Sequence, residues 1–182
     1  MAMTIREFEP RDLEAVFALV ARAIEASYAG VYGRTAIDHF HGHHTRDEIR
    51  RGAEEGVALL LEEDGRLLAT GTLVDDHVDR VYVDPDHQGR GLGQRVMAAL
   101  EARARQAGLT TIRLAASIPA LAFYERLGYR TVSEERHDFP DGDCLPWFKM
   151  VKDLAAGAAA GEPPPAADPE DTDGMEWLVE EA

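Results

Sequence analysis

The sequence predicts an α/β protein of the α+β kind, in which one mixed, mostly antiparallel sheet carries helices on its faces. Short apolar runs separated by turn residues predict the strands. Stretches with apolar residues every three or four positions predict the helices. The length of 182 residues fits one domain with an extension. We place the domain at residues 1–154 and a flexible, acidic Ala/Pro-rich tail at 155–182.

The first half of the domain is predicted to hold a strand, two helices and a hairpin. Pro10 and Asp12 are residues typical of a helix start, and Asp64-Gly65 is a hairpin turn sequence. Between the helices, three glycines predict a loop with short helical pieces. In chain order the predicted segments are a strand at 5–8, a helix from 12, the loop at 29–44, a polar helix at 47–55, and strands at 57–62 and 67–74.

The second half is predicted to alternate strands with helices. A strand at 78–83 stops before Pro85, since proline cannot continue a hydrogen-bonded ladder. A glycine-rich run and a helix that Gly108 closes follow it. The remaining predicted segments are a strand at 111–115, a helix that starts near Ser117 and stops at Gly128, and strands at 129–137 and 145–152.

Composition and charge limit the possible partners. The formal net charge is -15, which would repel the phosphates of nucleic acid. Eight of the 34 acidic residues lie in the tail, which has no Lys or Arg, so the domain itself is only mildly acidic and suits a cationic amine. No apolar run approaches the roughly 20 residues that span a bilayer. The single cysteine, Cys144, predicts a reducing, cytoplasmic location without disulfides.

The glycine-rich run predicts an anion-binding loop. A strand, glycines at alternate positions and a helix start together present backbone N–H groups at a positive helix end. Gln94 and Val96 stand where a dinucleotide fingerprint needs its last glycine, and no Gly-Lys-Ser/Thr follows. A dinucleotide site and a nucleotide P-loop are therefore disfavoured. The alternative is that the glycines only form a tight turn between strand and helix.

Two motifs resemble those of the GCN5-related N-acetyltransferases. Gln88, Gly91 and Gly93 match the pyrophosphate-binding pattern Gln/Arg-x-x-Gly-x-Gly/Ala. Downstream, Phe123-Tyr124 followed by Gly128-Tyr129 resembles the second signature of that family. The resemblance covers residues 3–154 and implies a central splayed sheet with helices around it.

The resemblance implies an acetyl-CoA-dependent N-acetyltransferase that transfers directly within a ternary complex. Its co-substrate would be acetyl-CoA, its acceptor a small-molecule or peptide amine, and no metal would be needed. The chain departs from many members at Ser117, where they carry Asn; serine there could contact the cofactor or cap the next helix. The implied cofactor-binding residues are Val81, Tyr82, Val83, Gln88, Gly89, Arg90, Gly91, Leu92, Gly93, Ser117 and Tyr124.

Amine acetylation needs a base and an acid. An alkylamine with a pKa near 10.4 pays roughly 4.6 kcal/mol to be neutral at pH 7. The resemblance, counted back without gaps, puts His77 at the position of the family's basic glutamate, with Asp79 on the same strand face as the reserve. It also makes Tyr124 the acid that protonates the departing thiolate. Backbone N–H groups near 81–83 would polarise the carbonyl.

Other readings stay open. A non-catalytic acyl-CoA-binding regulatory module or a transferase for a longer acyl chain would carry the same motifs. The acceptor and the oligomeric state, monomer or homodimer, are not readable. His39 and His43 would share a helix face and could pair on a metal, but no carboxylate or Cys completes a set. We expect this segment, with Tyr28 and Tyr32, to form part of the acceptor wall.

Overall fold

The computed structural model describes residues 3–155, so the predicted role and flexibility of the tail lie outside the described residues, apart from Ala155. Seven strands and five α-helices make up this part of the chain. The strands are β1 (Met3–Glu7), β2 (Val57–Glu63), β3 (Arg66–Val74), β4 (His77–Val83), β5 (Thr111–Ser117), β6 (Arg130–Asp138) and β7 (Cys144–Asp153). The helices are α1 (Leu13–Tyr28), α2 (Arg34–His43), α3 (Arg46–Glu55), α4 (Leu92–Gln106) and α5 (Leu121–Arg126).

All seven strands form one sheet in the order β1-β2-β3-β4-β5-β7-β6. Neighbouring strands are antiparallel except β4 and β5, which are parallel. This pair is joined through only two residue pairs, His77–Arg113 and Val78–Leu114. Beyond them the carboxyl halves of β4 and β5 are not paired with each other. The prediction of a mixed, mostly antiparallel, splayed sheet is confirmed.

The helices cover both faces of the sheet and enclose two apolar cores. The core that includes α4 contains Val96, Met97 and Leu100, all at most 1% exposed. The core on the opposite face includes Ile24 of α1, Ile37 of α2 and Ile49 of α3. Each strand in the middle of the sheet is therefore held from both sides, and β4 contributes residues to both cores.

The prediction of a loop with short helical pieces at 29–44 is wrong in one respect, because α2 within this segment is a continuous ten-residue helix. Gly42 lies inside it at a cost of roughly 1 kcal/mol relative to alanine. Burial of Ala36, Ile37 and Phe40 against the core offsets that cost. Tertiary packing therefore outweighs the local propensity on which the prediction rested.

The junction after β5 also differs from its prediction. A 3₁₀ turn over Ile118–Ala120 precedes α5, and the side chain of Ser117 makes no capping hydrogen bond. The capping alternative for Ser117 is thus wrong. The serine is buried and its hydroxyl interacts instead with the Tyr28 hydroxyl.

A β-bulge interrupts β4. Asp79 is opposite Thr72 and Tyr82 is opposite Thr70, so two residues of β4 share one position on β3. Arg80 takes the left-handed backbone conformation, with φ of 52°, which is uncommon for a residue other than glycine. The extra residue shifts the alternation of the strand, so that Asp79 and Tyr82 face the same side although they are three positions apart.

Among residues 3–155, no helix has both the length and the apolar character needed to cross a membrane.

The packing of α4 predicts a large effect of Leu100→Ala. Leu100 is fully buried between α4 and the sheet, so its truncation removes apolar contacts and leaves a cavity. We expect the free energy of unfolding to fall by roughly 2–5 kcal/mol in urea denaturation. The control is Val31→Ala, at a position that is 45% exposed, for which a change within about 0.5 kcal/mol is expected. Equal losses in both variants would contradict this account of the core.

Candidate active site

The largest cavity is a cleft of about 740 Å³ where β4 and β5 separate. We call it the main cleft. Its lining combines the end of β4, the glycine-rich loop, the start of α4, and residues from α1 and α5. The lining consists of Ala23, Ser27, Tyr28, Val81, Tyr82, Val83, Gln88, Gly89, Gly91, Leu92, Gly93, Gln94, Ser117, Pro119, Ala120, Phe123, Tyr124, Arg126 and Leu127.

The glycine-rich loop shapes one wall of the main cleft. Gly89 and Gly91 have φ of 76° and 74°, and no atom lies within 4 Å of the point where a Cβ would stand. Glycine is thus needed for the backbone conformation and leaves the loop surface open. Gly91 immediately precedes the 15-residue helix α4, whose first N–H groups have no partners within the helix and favour an anion.

The main cleft is free of carboxylates, although the chain is strongly acidic. Its lining contains no Asp or Glu and one Arg, Arg126. Within residues 3–155, Arg126 forms no ion pair with a neighbouring carboxylate. A cleft with this charge and a helix N-terminus suits a phosphorylated ligand.

Asp84 anchors the start of the glycine-rich loop. Its side chain, only 3% exposed, accepts hydrogen bonds from Arg22 of α1 at 3.0 Å and from the Asp86 N–H at 3.0 Å, and it contacts His87 Nδ1 at 3.2 Å. Arg66 lies 3.4 Å from its other oxygen. Burial alone would raise the pKa of Asp84, but the bonds from His87 and Asp86, together with the charge and hydrogen bond of Arg22, outweigh it and lower the pKa.

A smaller cavity of about 70 Å³ lies beside the main cleft on the α1–α2 side of the sheet. We call it the inner cavity. It shares Tyr28, Tyr82, Ser117 and Tyr124 with the main cleft. The rest of its lining comes from α2 and the residue after it, from β4, β5 and β7, and from the 3₁₀ turn before α5. These residues are Phe40, His44, Val78, Asp79, Arg80, Val81, Ala115, Ala120, Leu145 and Trp147. A ligand in the main cleft can therefore meet a second molecule here.

Tyr124 and Asp79 have opposite protonation preferences within this cavity. Burial raises the pKa of Tyr124, and the negative charge of Asp79 adds to that shift, so the phenol keeps its proton. Burial alone would raise the pKa of Asp79 too, but the Arg80 guanidinium, the neighbouring His44 and His77 rings and the Arg80 backbone N–H together outweigh it and lower the pKa. The Arg80 Nη1 lies 2.9 Å from the Asp79 carboxylate. The Tyr124 phenol can therefore donate a proton in this cavity, and the Asp79 carboxylate is ionised and can accept one.

His44 and Tyr82 are linked on the α2 side of the inner cavity. The Tyr82 hydroxyl lies 2.9 Å from His44 Nε2. Burial lowers the pKa of His44 to about 3, so the ring is neutral. Its Nδ1 has no hydrogen-bond partner among the described residues.

His77 lies elsewhere. It lines a third cavity, of about 300 Å³, between α3 and the starts of β4 and β5. We call it the charged cavity. Burial lowers the pKa of His77, which favours the neutral ring. His77 lines neither the main cleft nor the inner cavity, whereas Asp79 lines both the inner and the charged cavity.

The structure brings together ten of the eleven residues predicted to bind the cofactor. Arg90 is the exception, since its side chain lies outside the lining and pairs with Glu63 at 2.9 Å. Sequence reasoning missed Arg126, Arg80 and Trp147. The segment with Tyr28, Tyr32 and the histidines was predicted to form part of the acceptor wall. Tyr28 and His44 line the inner cavity, whereas Tyr32, His39 and His43 do not. For Trp147, the only signal in the sequence is its place in the predicted strand at 145–152.

The histidine pair predicted for α2 is in contact. His39 and His43 approach to 3.0 Å between their Nε2 atoms, and His137 of β6 stacks on His39. Among residues 3–155 no three His, Cys, Asp or Glu side chains are arranged to hold a metal ion.

Known proteins resemble the chain in sequence. The family model described as "Acetyltransferase (GNAT) domain" matches residues 25–154. Blasticidin-S acetyltransferase of Streptomyces morookaense is 40% identical over 80 residues, which are 43% of this chain and 57% of that protein. The chain spans about half the length of the curated relatives it matches.

Solved structures share the fold. A GCN5-related N-acetyltransferase from Rhodopseudomonas palustris has a TM-score of 0.75 and 24% identity, covering 84% of this chain and 98% of that chain. The PaiA N-acetyltransferase of Thermoplasma acidophilum, solved in complex with coenzyme A, has a TM-score of 0.66 and 18% identity, covering 84% and 99%. At these identities the similarity establishes the fold.

The contacts of Asp84 predict that Asp84→Asn loosens the glycine-rich loop. Losing charge-assisted bonds to a buried group should lower the free energy of unfolding at pH 7 by roughly 1–3 kcal/mol. Because the folded pKa is depressed, this stabilisation is present above about pH 3.9, the ordinary Asp value, and is lost as the pH falls through the folded pKa.

Urea denaturation at pH 7, 5 and 3 measures both effects. The variant should lose less stability than the wild type between pH 5 and 3. The control is Asp86→Asn, whose carboxylate is 76% exposed. A loss for Asp86→Asn as large as that for Asp84→Asn would contradict the special role of Asp84.

Proposed function

The chain belongs to the GNAT acetyltransferase family, and from this premise we propose that it is an acetyl-CoA-dependent N-acetyltransferase acting on a primary amine by direct attack in a ternary complex. One observation carries the proposal: a main cleft without carboxylates, walled by a glycine-rich loop at a helix N-terminus, opens into an inner cavity that holds a protonated Tyr124 and an ionised Asp79. The proposed compartment is the cytoplasm.

The main cleft fits the parts of acetyl-CoA. Gly89, Gly91 and Gly93 and the first N–H groups of α4 would hold the pyrophosphate. The unpaired edge at Val81–Val83, beyond the last β4–β5 pair, would hydrogen-bond the pantetheine arm and polarise the acetyl carbonyl. The structure of a fold neighbour in complex with coenzyme A supports this choice of ligand.

Tyr124 is the proposed acid. It lines both the main cleft and the inner cavity, so its hydroxyl can reach a group at their junction. Because burial raises its pKa, it holds a proton throughout the physiological range. A thiolate leaving group needs such a donor as the carbon–sulfur bond breaks.

The proposed base is a residue of β4. The resemblance of the motifs favours His77, and the cavities favour Asp79, which shares the inner cavity with Tyr124 while His77 lines only the charged cavity. Asp79 is ionised and can accept a hydrogen bond from an incoming ammonium group. In a site with little water, the pair of carboxylate and ammonium ion loses part of its stability relative to the neutral pair of carboxylic acid and amine. The Asp79 carboxylate can therefore take the proton as the amine attacks.

A thiol-release assay with acetyl-CoA and a panel of amines and peptides tests the function, beside calorimetric titration of acetyl-CoA. Binding with turnover on one class of acceptor is expected. Tight binding without turnover would favour the regulatory acyl-CoA-binding alternative, and turnover only with longer acyl chains would change the donor. Absence of binding would overturn the assignment of the main cleft.

Tyr124→Phe should lower kcat by roughly 10²-fold or more, because the thiolate would leave without its proton. The Kd of acetyl-CoA should change less than about threefold, because the ring remains in the cleft. Steady-state kinetics and calorimetry check the two quantities. Phe123→Leu is the matched control at the adjacent ring that lines the same cleft, and it should weaken binding more than it lowers kcat. A parallel loss of binding in Tyr124→Phe would refute the acid role.

The base is tested by comparing Asp79→Asn with His77→Gln. We expect kcat/KM to fall by roughly 10²–10³-fold in Asp79→Asn and by less than about tenfold in His77→Gln, measured from pH 6 to 9. Melting temperatures show whether either variant is misfolded. A larger loss of kcat/KM in His77→Gln than in Asp79→Asn would instead identify His77 as the base. Unchanged kcat/KM in both variants would contradict a base on β4 and would mean that water deprotonates the acceptor amine.

A further inference from the structure

The charged cavity has no assigned role. Its floor is formed by the starts of β4 and β5 and by β7, and α3 forms one side. We propose that this cavity binds a second positive charge on the acceptor, so that the preferred acceptor is a primary amine whose chain carries another cation, as in an aliphatic diamine. This inference rests on the proposed acetyl transfer to amines.

The three cavities follow one another along β4. The main cleft contacts Val81–Val83, the inner cavity Val78–Tyr82, and the charged cavity the stretch from Val74 to Arg80. Asp79, Arg80 and Ala115 line both the inner and the charged cavity. An acceptor whose amine lies beside Tyr124 therefore has room for its tail only a few residues further along the strand.

The lining of the charged cavity carries an excess of carboxylates. Its acids are Glu48, Glu55, Asp75, Asp76 and Asp79, and its bases are Arg51, Arg80, Arg113 and Lys149. Each base already has a carboxylate partner: Arg51 pairs with Glu48, Arg80 with Asp79, Arg113 with Asp76, and Lys149 with Glu135. The Glu135 carboxylate lies outside the lining. Burial favours the neutral form of His77, so this ring adds no compensating charge.

Two of these carboxylates remain for a ligand. Glu55 at the end of α3 and Asp75 in the β3–β4 turn form no ion pair with any residue between 3 and 155. Both are exposed at the rim, where a cation entering from solvent would meet them. A single charge–charge contact at such a site is worth roughly 0.2–1 kcal/mol, which corresponds to about a 1.4- to 5-fold effect on binding.

An independent feature of the inner cavity points to an N–H donor as the ligand. His44 is 6% exposed, its ring is neutral, and its Nδ1 has no partner among the described residues. In the tautomer whose Nε2–H donates to the Tyr82 hydroxyl, Nδ1 is a hydrogen-bond acceptor. Together with Asp79 on the same cavity, the chain then offers two acceptors for the amine that is to be acetylated. The main cleft, by contrast, has no carboxylate in its lining. The anionic and the cationic reactant thus have separate, oppositely charged cavities.

The volume limits the acceptor to a small tail. About 300 Å³ is at the lower end of the range for small-molecule pockets. It can take an aliphatic chain with one terminal charge. The three arginines of the lining are already paired with carboxylates, which disfavours a ligand carboxylate at the same end.

The experiment compares three amines of equal length by thiol release at saturating acetyl-CoA: 1,5-diaminopentane, pentylamine and 5-aminopentanoate. We expect kcat/KM to fall in that order, with the diamine at least about fivefold above pentylamine. The double variant Glu55→Gln/Asp75→Asn should lower kcat/KM for the diamine by roughly 2- to 25-fold, two rim charges being removed. It should leave pentylamine within about twofold.

Matched controls exist on the same kinds of element. Glu54→Gln changes an exposed carboxylate of α3 that is not in the lining, and Asp64→Asn changes the turn residue of the other hairpin. Asp64 and Asp75 have the same left-handed backbone, with φ of 52° and 50°, a conformation that Asn also accepts. The double control Glu54→Gln/Asp64→Asn should leave the order of the three amines unchanged.

The outcomes separate this inference from the proposed function. Equal losses for diamine and pentylamine in the double variant, or a preference for 5-aminopentanoate, would overturn the inference while acetyl transfer stands. Acetyl-CoA binding without turnover of any of the three amines would also overturn it, since a diamine would then not be an acceptor. Failure of acetyl-CoA to bind at all would instead remove the proposed function.

Discussion

The bulge at Arg80 in β4 is the constraint on which the rest of the site depends. A left-handed arginine is unfavourable by itself, and the surrounding contacts hold it in place. Its guanidinium lies 2.9 Å from Asp79 and 3.8 Å from Glu48. The helix α3 can pass over it because residue 52 is glycine, where a Cβ would stand 2.7 Å from the guanidinium. Without the bulge, Asp79 and Tyr82 would face opposite sides of the sheet, and only one of the two could line the inner cavity.

The short pairing of β4 with β5 has a second consequence. Two residue pairs hold the strands together at one end, so their other ends are free to contact ligands from both faces. Asp84 then fixes the chain where it leaves β4, through Arg22 of α1 and His87 of the following turn. The glycine-rich loop is therefore fixed at its entrance, while Gly89 and Gly91 set its backbone conformation through their positive φ values. In the proposed function, this fixed entrance would set the position of the bound pyrophosphate relative to Tyr124.

The parts of the fold that could be predicted from the sequence are those that depend on local chemistry. Asp64-Gly65 determines a hairpin turn, and Gly91 determines where α4 begins, so both were predicted correctly. The helix α2 was not, because Phe40 and Ile37 stabilise it through contacts with residues distant in the sequence. The bulge could not be predicted from the local sequence, because Arg80 is held in it by contacts with α3, at Gly52 and Glu48. For the same reason, the gap-free count that favours His77 as the base, with Asp79 as the reserve, takes no account of the bulge. The cavities instead favour Asp79, which lines the inner cavity while His77 does not.

Burial affects Tyr124 and Asp79 of the inner cavity alike, but the pKa values of the two groups shift in opposite directions. Burial raises the pKa of Tyr124 and would do the same to Asp79, yet Arg80, with the two neighbouring histidines and a backbone N–H, lowers the pKa of the carboxylate. Two titratable groups in the same small cavity therefore differ in charge at neutral pH, which is the arrangement that acid and base catalysis requires. Arg80 is the left-handed residue of the bulge, and its guanidinium is the largest of the contributions that lower the pKa of Asp79. The shape of the cavity and the charge of its carboxylate therefore depend on the same residue.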